Sequence, residues 1–278
     1  MHFSSLRGRS SSRPQSAAAT ARRTATALSA AAVALTLTLT GCTRVDTTSP
    51  SEARDAAGSH GAGKFGSVDC RKAKCIALTF DAGPSPDSGR LLDILKEKKV
   101  HATFFLLGKK HIERYPETVE RMAAEGHEVA SHTWDHKILT DLGPDGIREE
   151  LRRPADAIER LTGRRPTLVR PPQGRTNDTV QGIAREMGLS EVLWSVTAKD
   201  FATNDSALIT QRVLDQARRD GIILLHDLVP AAGSPGYRGT VPAVPGIIDE
   251  LERRGFTFVT VPQLLAPAVP VPGAVYRP

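Results

Sequence analysis

Six residues able to move protons or bind cations each follow a short apolar run. Asp81 lies in Thr79-Phe80-Asp81-Ala82-Gly83-Pro84, and His132 and His136 in Ser131-His132-Thr133-Trp134-Asp135-His136. Arg170 opens Arg170-Pro171-Pro172-Gln173-Gly174, Asp200 lies in Lys199-Asp200-Phe201, and His226 in Leu224-Leu225-His226-Asp227. His132 and His136 can offer two neutral imidazoles to a divalent cation such as Zn2+. Asp81 suits a general base for a metal-bound water. Arg170 can hold that carboxylate bidentately and keep it ionised. His226 can protonate a leaving amine, with Asp200 raising its pKa. Together these parts suit metal-assisted hydrolysis. Any one of them alone reads more readily as surface decoration; so many placements at matching positions do not. A lone His is usually structural, and His60, His101, His111 and His127 take that reading.

Positioning such a set requires a framework that brings distant segments to one face. Short β-rich runs occur at 76–80, 102–107, 128–131, 167–170, 192–196, 222–225 and 256–261. Helical stretches separate most of them, at 88–98, 116–125, 144–161, 177–187, 206–219 and 244–254, several opening with Ser, Asn or Pro and closing at Gly. Strands alternating with helices predict parallel βα units. Seven strands suit a barrel-like α/β fold better than an open doubly wound sheet, and no Gly-rich dinucleotide fingerprint follows the first strand. In a parallel barrel the working residues sit at the C-terminal strand ends, where these six fall.

The chain has 278 residues with 37 Lys+Arg against 31 Asp+Glu, a formal charge of +6. Residues 1–41 hold Arg7, Arg9, Arg13, Arg22 and Arg23, no acid, and an apolar run from Ala27 to Leu39. That pattern predicts a secretory signal. Without it the charge falls to about +1, so no basic stripe for nucleic acid is expected. Leu39-Thr40-Gly41-Cys42 resembles a bacterial lipobox, which predicts a lipid on Cys42, export, and anchoring to the outer face of the cell membrane by that lipid alone. Residues 42–68 read as a flexible tether and 266–278 as a Pro-rich tail without structure. Cys70 and Cys75 predict a local disulfide, since no further soft metal ligands stand nearby.

In order, Thr79–Pro84, His132–His136, Arg170–Gly174, Asp200 and Leu224–His226 resemble the motifs of the polysaccharide deacetylases with a NodB-type domain, carbohydrate esterase family 4. Ala102-Thr103-Phe104-Phe105 with Gly108, and Gly126-His127-Glu128-Val129, are similar to the connecting segments. The resemblance covers about residues 69–265 and implies a single α/β domain, a distorted (β/α)7-type barrel of parallel strands, acting as a monomer. It implies a divalent metal, Zn2+ or Co2+, and removal of acetyl groups from glycans. Asp81 would be the base, Arg170 its partner, His132 and His136 the metal ligands, His226 the acid and Asp200 its tuner, with the backbone N–H near Gln173 facing the oxyanion. Four positions depart from the family pattern. Ala82 stands where a second Asp, the third metal ligand, is usual, so metal affinity should fall. Gln173 replaces a Tyr, and Thr197 and Phe201 replace an Asp and a Trp. The expected substrate is peptidoglycan, with chitooligosaccharide or acetylxylan as alternatives, and an impaired glycan-binding protein as the competing reading.

Overall fold

A computed structural model describes residues 45–58, 68–228 and 236–278. The expected signal, Cys42 and His60 lie outside them. The centre of the fold is β1 (Lys74–Gly83), buried from Cys75 onward and hydrogen-bonded in parallel to three neighbours. A strand buried on both faces reads as a continuous apolar run, as Cys75 to Phe80 does. On one side stand β2 (Thr103–Leu106), β3 (Glu128–Ser131), β4 (Leu168–Val169) and β5 (Ser190–Val192). On the other are β6 (Val196–Thr197) and β7 (Gly221–His226), while β8 (Phe256–Val259) pairs with the start of β1. Every pairing is parallel, giving one curled sheet of the distorted barrel type.

Helices α2 (Ser88–Lys98), α3 (Pro116–Ala124), α4 (Pro144–Thr162), α5 (Asp178–Glu186), α6 (Ser206–Gln216) and α7 (Thr240–Arg253) return the chain between strands. Strand residues alternate between two cores. Ile76, Leu78, Phe80, Phe104, Leu106, Ile223 and Leu225 pack on helices, with the Phe80 and Phe104 rings stacked at 5.3 Å. Ala77, Phe105, Ala130, Leu168 and Ile222 fill the concave interior. The period of two then aims Thr79 and Asp81, His132, Arg170 and His226 to that same inner face, at its C-terminal end. Alternation thus brings four of the six residues together, and the loops after β3 and β6 supply His136 and Asp200.

Three expectations need correction. Residues 42–68 are not a flexible tether throughout. Thr48 bridges Tyr276, and Pro50–Ala57 form α1, opened by a capping box between Ser49 and Glu52. Its buried Arg54 bonds the Leu264 carbonyl (2.7 Å) at the end of α8 (Val261–Leu265) and the Asp220 carboxylate (2.6 Å). Eight residues are too few to display a helical period, though the cap itself was readable. Nor is 266–278 a free tail. Val275–Tyr276 form β9 on the open edge of β5, and Tyr276 is buried. The apolar run 192–196 is not one strand either. The Leu193 N–H bonds Tyr276 on one edge of the sheet and the Ser195 N–H bonds Ile222 on the other, so this segment crosses the gap where the barrel would close.

Cys70 and Cys75 are joined by a disulfide, their Cα atoms 5.5 Å apart, just before β1. On β5, Glu191 is fully buried with neither carboxyl oxygen hydrogen-bonded. Burial pushes this carboxyl up from 4.5 to about 7, and the nearby Thr176 hydroxyl offsets only part of that. Above pH 4.5 the unfolded chain releases a proton that the folded state retains, so stability falls as pH rises to about 7 and then levels, by about 3 kcal/mol. Glu191→Gln should therefore raise Tm by about 5 °C at pH 8.5 and change it little at pH 5. Thermal denaturation at both pH values checks this; an equal shift at both would show that ionisation is not the cause.

Candidate active site

Arg170 follows β4 directly and is fully buried. Its Nη1 donates to Asp81 Oδ1 (2.7 Å) and Thr79 Oγ1 (2.8 Å), and its Nε to the Val192 carbonyl (3.0 Å). The guanidinium lies 4.0 Å over the Phe105 ring. Asp81, 2% exposed, thus has one oxygen fixed by charge, leaving Oδ2, which is 3.8 Å from His132 Nε2. The next residue forms a bulge: Asp81 pairs with Phe105 but Gly83 pairs with Leu106, and the intervening Ala82 is left-handed at φ 67°. Non-glycine residues adopt that conformation at a cost of about 1–2 kcal/mol, least for Asn and Asp.

His132 Nδ1 is 2.7 Å from the Arg170 carbonyl. A carbonyl only accepts, so Nδ1 carries the hydrogen and Nε2 presents its lone pair. Burial holds this imidazole down at about 4, and holds His136 below its ordinary value. Both are neutral near pH 7, with ring centroids 4.9 Å apart. The loop between them is fixed by buried Glu150 of α4, which accepts from the Trp134 (3.1 Å) and Asp135 (2.8 Å) N–H groups. Gly108 is required opposite, where a Cβ would overlap the Trp134 ring.

On β7, His226 stands in register with Asp81. Asp200 Oδ1 accepts from His226 Nδ1 (2.8 Å), and Oδ2 accepts from the His226 N–H (2.8 Å) and the Thr240 hydroxyl (2.9 Å). Burial pulls the imidazole pKa down, but the Asp200 hydrogen bond and the charges of Asp200 and Asp81 outweigh it and leave it raised. Nδ1 is committed, so Nε2 is the nitrogen that can give up a proton. Two rings meet His226 edge to face, Tyr237 at 5.4 Å and Phe201 at 6.2 Å. Gln173 lies in a left-handed turn (φ 57°) after Arg170, exposed to solvent.

The six residues therefore converge as a carboxylate with a cationic partner, an imidazole with an anionic partner, and two neutral imidazoles. Thr79, Phe105, Glu150, Thr240 and Tyr237 escaped the sequence reading. Of these only Thr79 had a signal, being two residues before Asp81 and so on the same strand face. The donor set falls short of a metal centre. Position 82 carries a methyl group, and among the described residues no three His, Cys, Asp or Glu side chains are arranged to hold a metal ion. Two imidazoles alone do not match the three protein ligands usual at a catalytic zinc. Of the His residues read as structural, His127 is buried and accepts from the Ala102 N–H (3.1 Å), and His111 bonds the Pro84 carbonyl (3.1 Å).

Residues 69–192 match the family model for polysaccharide deacetylase. The chain is 41% identical over 192 residues to peptidoglycan-N-acetylmuramic acid deacetylase PdaC of Bacillus subtilis, covering 69% of this chain and 38% of that protein. It thus spans about two fifths of that relative's length. It is 35% identical over 195 residues to a peptidoglycan-N-acetylglucosamine deacetylase of Bacillus cereus, covering 69% of this chain and 88% of that one. The solved structure of T48 deacetylase with substrate aligns with a TM-score of 0.69 at 38% identity, over 76% of this chain and 100% of that one.

The His226–Asp200 contact gives a direct test. Asp200→Asn keeps the shape and removes the charge, so the His226 pKa should fall. Titration of the ring protons by NMR reads it; an unmoved pKa would remove Asp200 as the cause of the raised value.

Proposed function

Because this chain belongs to the polysaccharide deacetylase family, we propose that it hydrolyses N-acetyl groups from a cell-wall glycan, with peptidoglycan as its substrate. The observation that carries this reading is the pairing of Asp81 and His226 at matched positions of β1 and β7. Each has its own partner, Arg170 for the carboxylate and Asp200 for the imidazole. A binding surface has no use for a carboxylate and an imidazole side by side, each held by its own charged partner. The choice of peptidoglycan is supported by the relatives, whose activity is named for it.

In this reading Asp81 Oδ2 takes a proton from water as its oxygen attacks the acetamide carbonyl carbon. Arg170 keeps the carboxylate ionised and immobile, so that Oδ1 does not compete for the incoming water. The carbonyl π electrons move to oxygen, and the Gln173 backbone N–H faces that charge. His226 Nε2–H then protonates the leaving nitrogen as the C–N bond breaks, giving acetate and a free amine. Between turnovers the proton on Asp81 leaves through solvent and His226 regains one. The raised His226 pKa favours the protonated, donating form of the ring, and Tyr237 and Phe201 wall the side on which the sugar lies. A divalent cation bound to His132 and His136 would supply carbonyl polarisation.

Ala82 favours a second reading, a glycan-binding domain with impaired catalysis, because it withholds a donor from those two imidazoles. Acetate release separates the two. The pure protein should release acetate from N-acetylated peptidoglycan in the presence of Zn2+ or Co2+, and Asp81→Asn or His226→Ala should lower the rate at least about 100-fold with an unchanged circular dichroism spectrum. No acetate from peptidoglycan, chitooligosaccharide or acetylxylan would leave the binding reading. Ala82→Asp places a carboxylate at a bulge that tolerates it. Zn2+ affinity measured by calorimetry should rise at least about tenfold; an unchanged affinity would mean that position 82 does not face the imidazoles.

A further inference from the structure

Beside the catalytic end, a groove of about 680 Å³ runs between the turn after β4 and the two chain segments outside the family match. Arg175, directly after Gln173 and Gly174, lines one wall, and Arg277, directly after β9, lines the other. The groove shares a neighbour with the site. Leu193 lines it, and the Leu193 carbonyl lies 3.5 Å from Arg170 Nη2. Gly174 also lines it, packed close enough that a Cβ would lie 3.2 Å from the Trp194 ring, which stands 5.7 Å from the Arg170 guanidinium.

Both arginines are held at their backbones and open at their heads. The Arg277 N–H donates to the Thr48 carbonyl (3.0 Å), and the Thr48 N–H donates to Val275 (2.9 Å), so the segment before α1 fixes this wall. The Arg175 N–H bonds the Pro172 carbonyl (3.2 Å). The Arg175 guanidinium meets Asp141 at 3.5 Å with both side chains more than half exposed, a pairing of small energy that an incoming anion can replace. Guanidinium forks match carboxylate and phosphate geometry.

We propose that this groove binds an anionic substituent of the glycan strand, a peptide carboxylate or a phosphate, and so selects a charged cell-wall polymer over a neutral acetylated glycan. The proposal rests on the deacetylase reading above and names its substrate class more closely. A neutral sugar chain gains nothing from two exposed arginines, whereas a strand carrying an anion beside the scissile acetamide gains a charge-assisted contact. Arg277 contributes from the C-terminal segment, which gives the packed end of the chain a part in recognition.

The test uses the full chain and three strands of equal length: a neutral N-acetylglucosamine oligomer, one bearing a peptide with free carboxylates, and one bearing a phosphate. Arg175→Gln/Arg277→Gln should raise KM for an anionic strand about tenfold, leave kcat unchanged, and leave the neutral oligomer unaffected. The two charged arms show which anion the groove takes, and Arg175→Lys/Arg277→Lys should recover part of the loss. The preference should also shrink between 0.05 and about 0.5 M salt. Equal KM changes on charged and neutral strands, or none, would overturn the proposal. If the wild type releases no acetate, calorimetric binding of the same strands still decides the groove. A charged-strand preference lost in the double Gln variant upholds it while the deacetylase reading fails, and no preference overturns it.

Discussion

A buried guanidinium is among the most expensive groups a protein can hold, and this fold is arranged around one. Arg170 is held only if three separate segments stand in place at once: Asp81 and Thr79 from β1, the carbonyls at and just after the end of β5, and Phe105 of β2 under its plane. Its own carbonyl then fixes the tautomer of His132 after β3. Removing the carboxylate would leave an uncompensated charge in a dry interior, a loss of about 3–5 kcal/mol. The same bond that orients the base therefore reports whether β1, β2, β4 and β5 are correctly assembled, and catalytic geometry and fold integrity are one constraint.

Around that anchor the backbone is bent where the chemistry is. Ala82, Thr133, His136, Gln173, Lys199 and Tyr237 all have positive φ, and all lie in the segments that build the site. Each such residue costs on the order of 1 kcal/mol or more, which the strands beneath, buried on both faces, can support. Such turns aim side chains where a regular strand or helix cannot: the Ala82 bulge shifts the register just beyond Asp81, and the left-handed Tyr237 donates its N–H to the Asp200 carbonyl while setting its ring against His226.

The site was legible in the sequence because its residues sit at strand ends in a βα repeat, where a motif of a few letters fixes both face and end of the barrel. Asp81 and Thr79 share a face by alternation alone. What supports the site was less legible, since Glu150 and Thr240 act from helices many residues away and nothing local marks them. The chain ends misled for a related reason. Composition made 42–68 and 266–278 look like unstructured polymer, yet a single cap, one arginine and one tyrosine dock residues 48–57 and the segment ending in β9. Two-residue strands such as β9 owe their existence to an open edge on β5, which no local pattern reveals.

Charge accounts for how this centre stands without the usual second acid. Arg170 pairs with Asp81, and Asp200 with the His226 imidazole whose pKa it raises, while burial keeps His132 and His136 neutral. An added carboxylate at position 82 would bring one uncompensated negative charge into a site where charges are costly, and a divalent cation would more than offset it. Third ligand and metal are thus coupled electrostatically, each making the other affordable. With alanine there, the Arg170–Asp81 and Asp200–His226 pairs stand without a carboxylate at position 82.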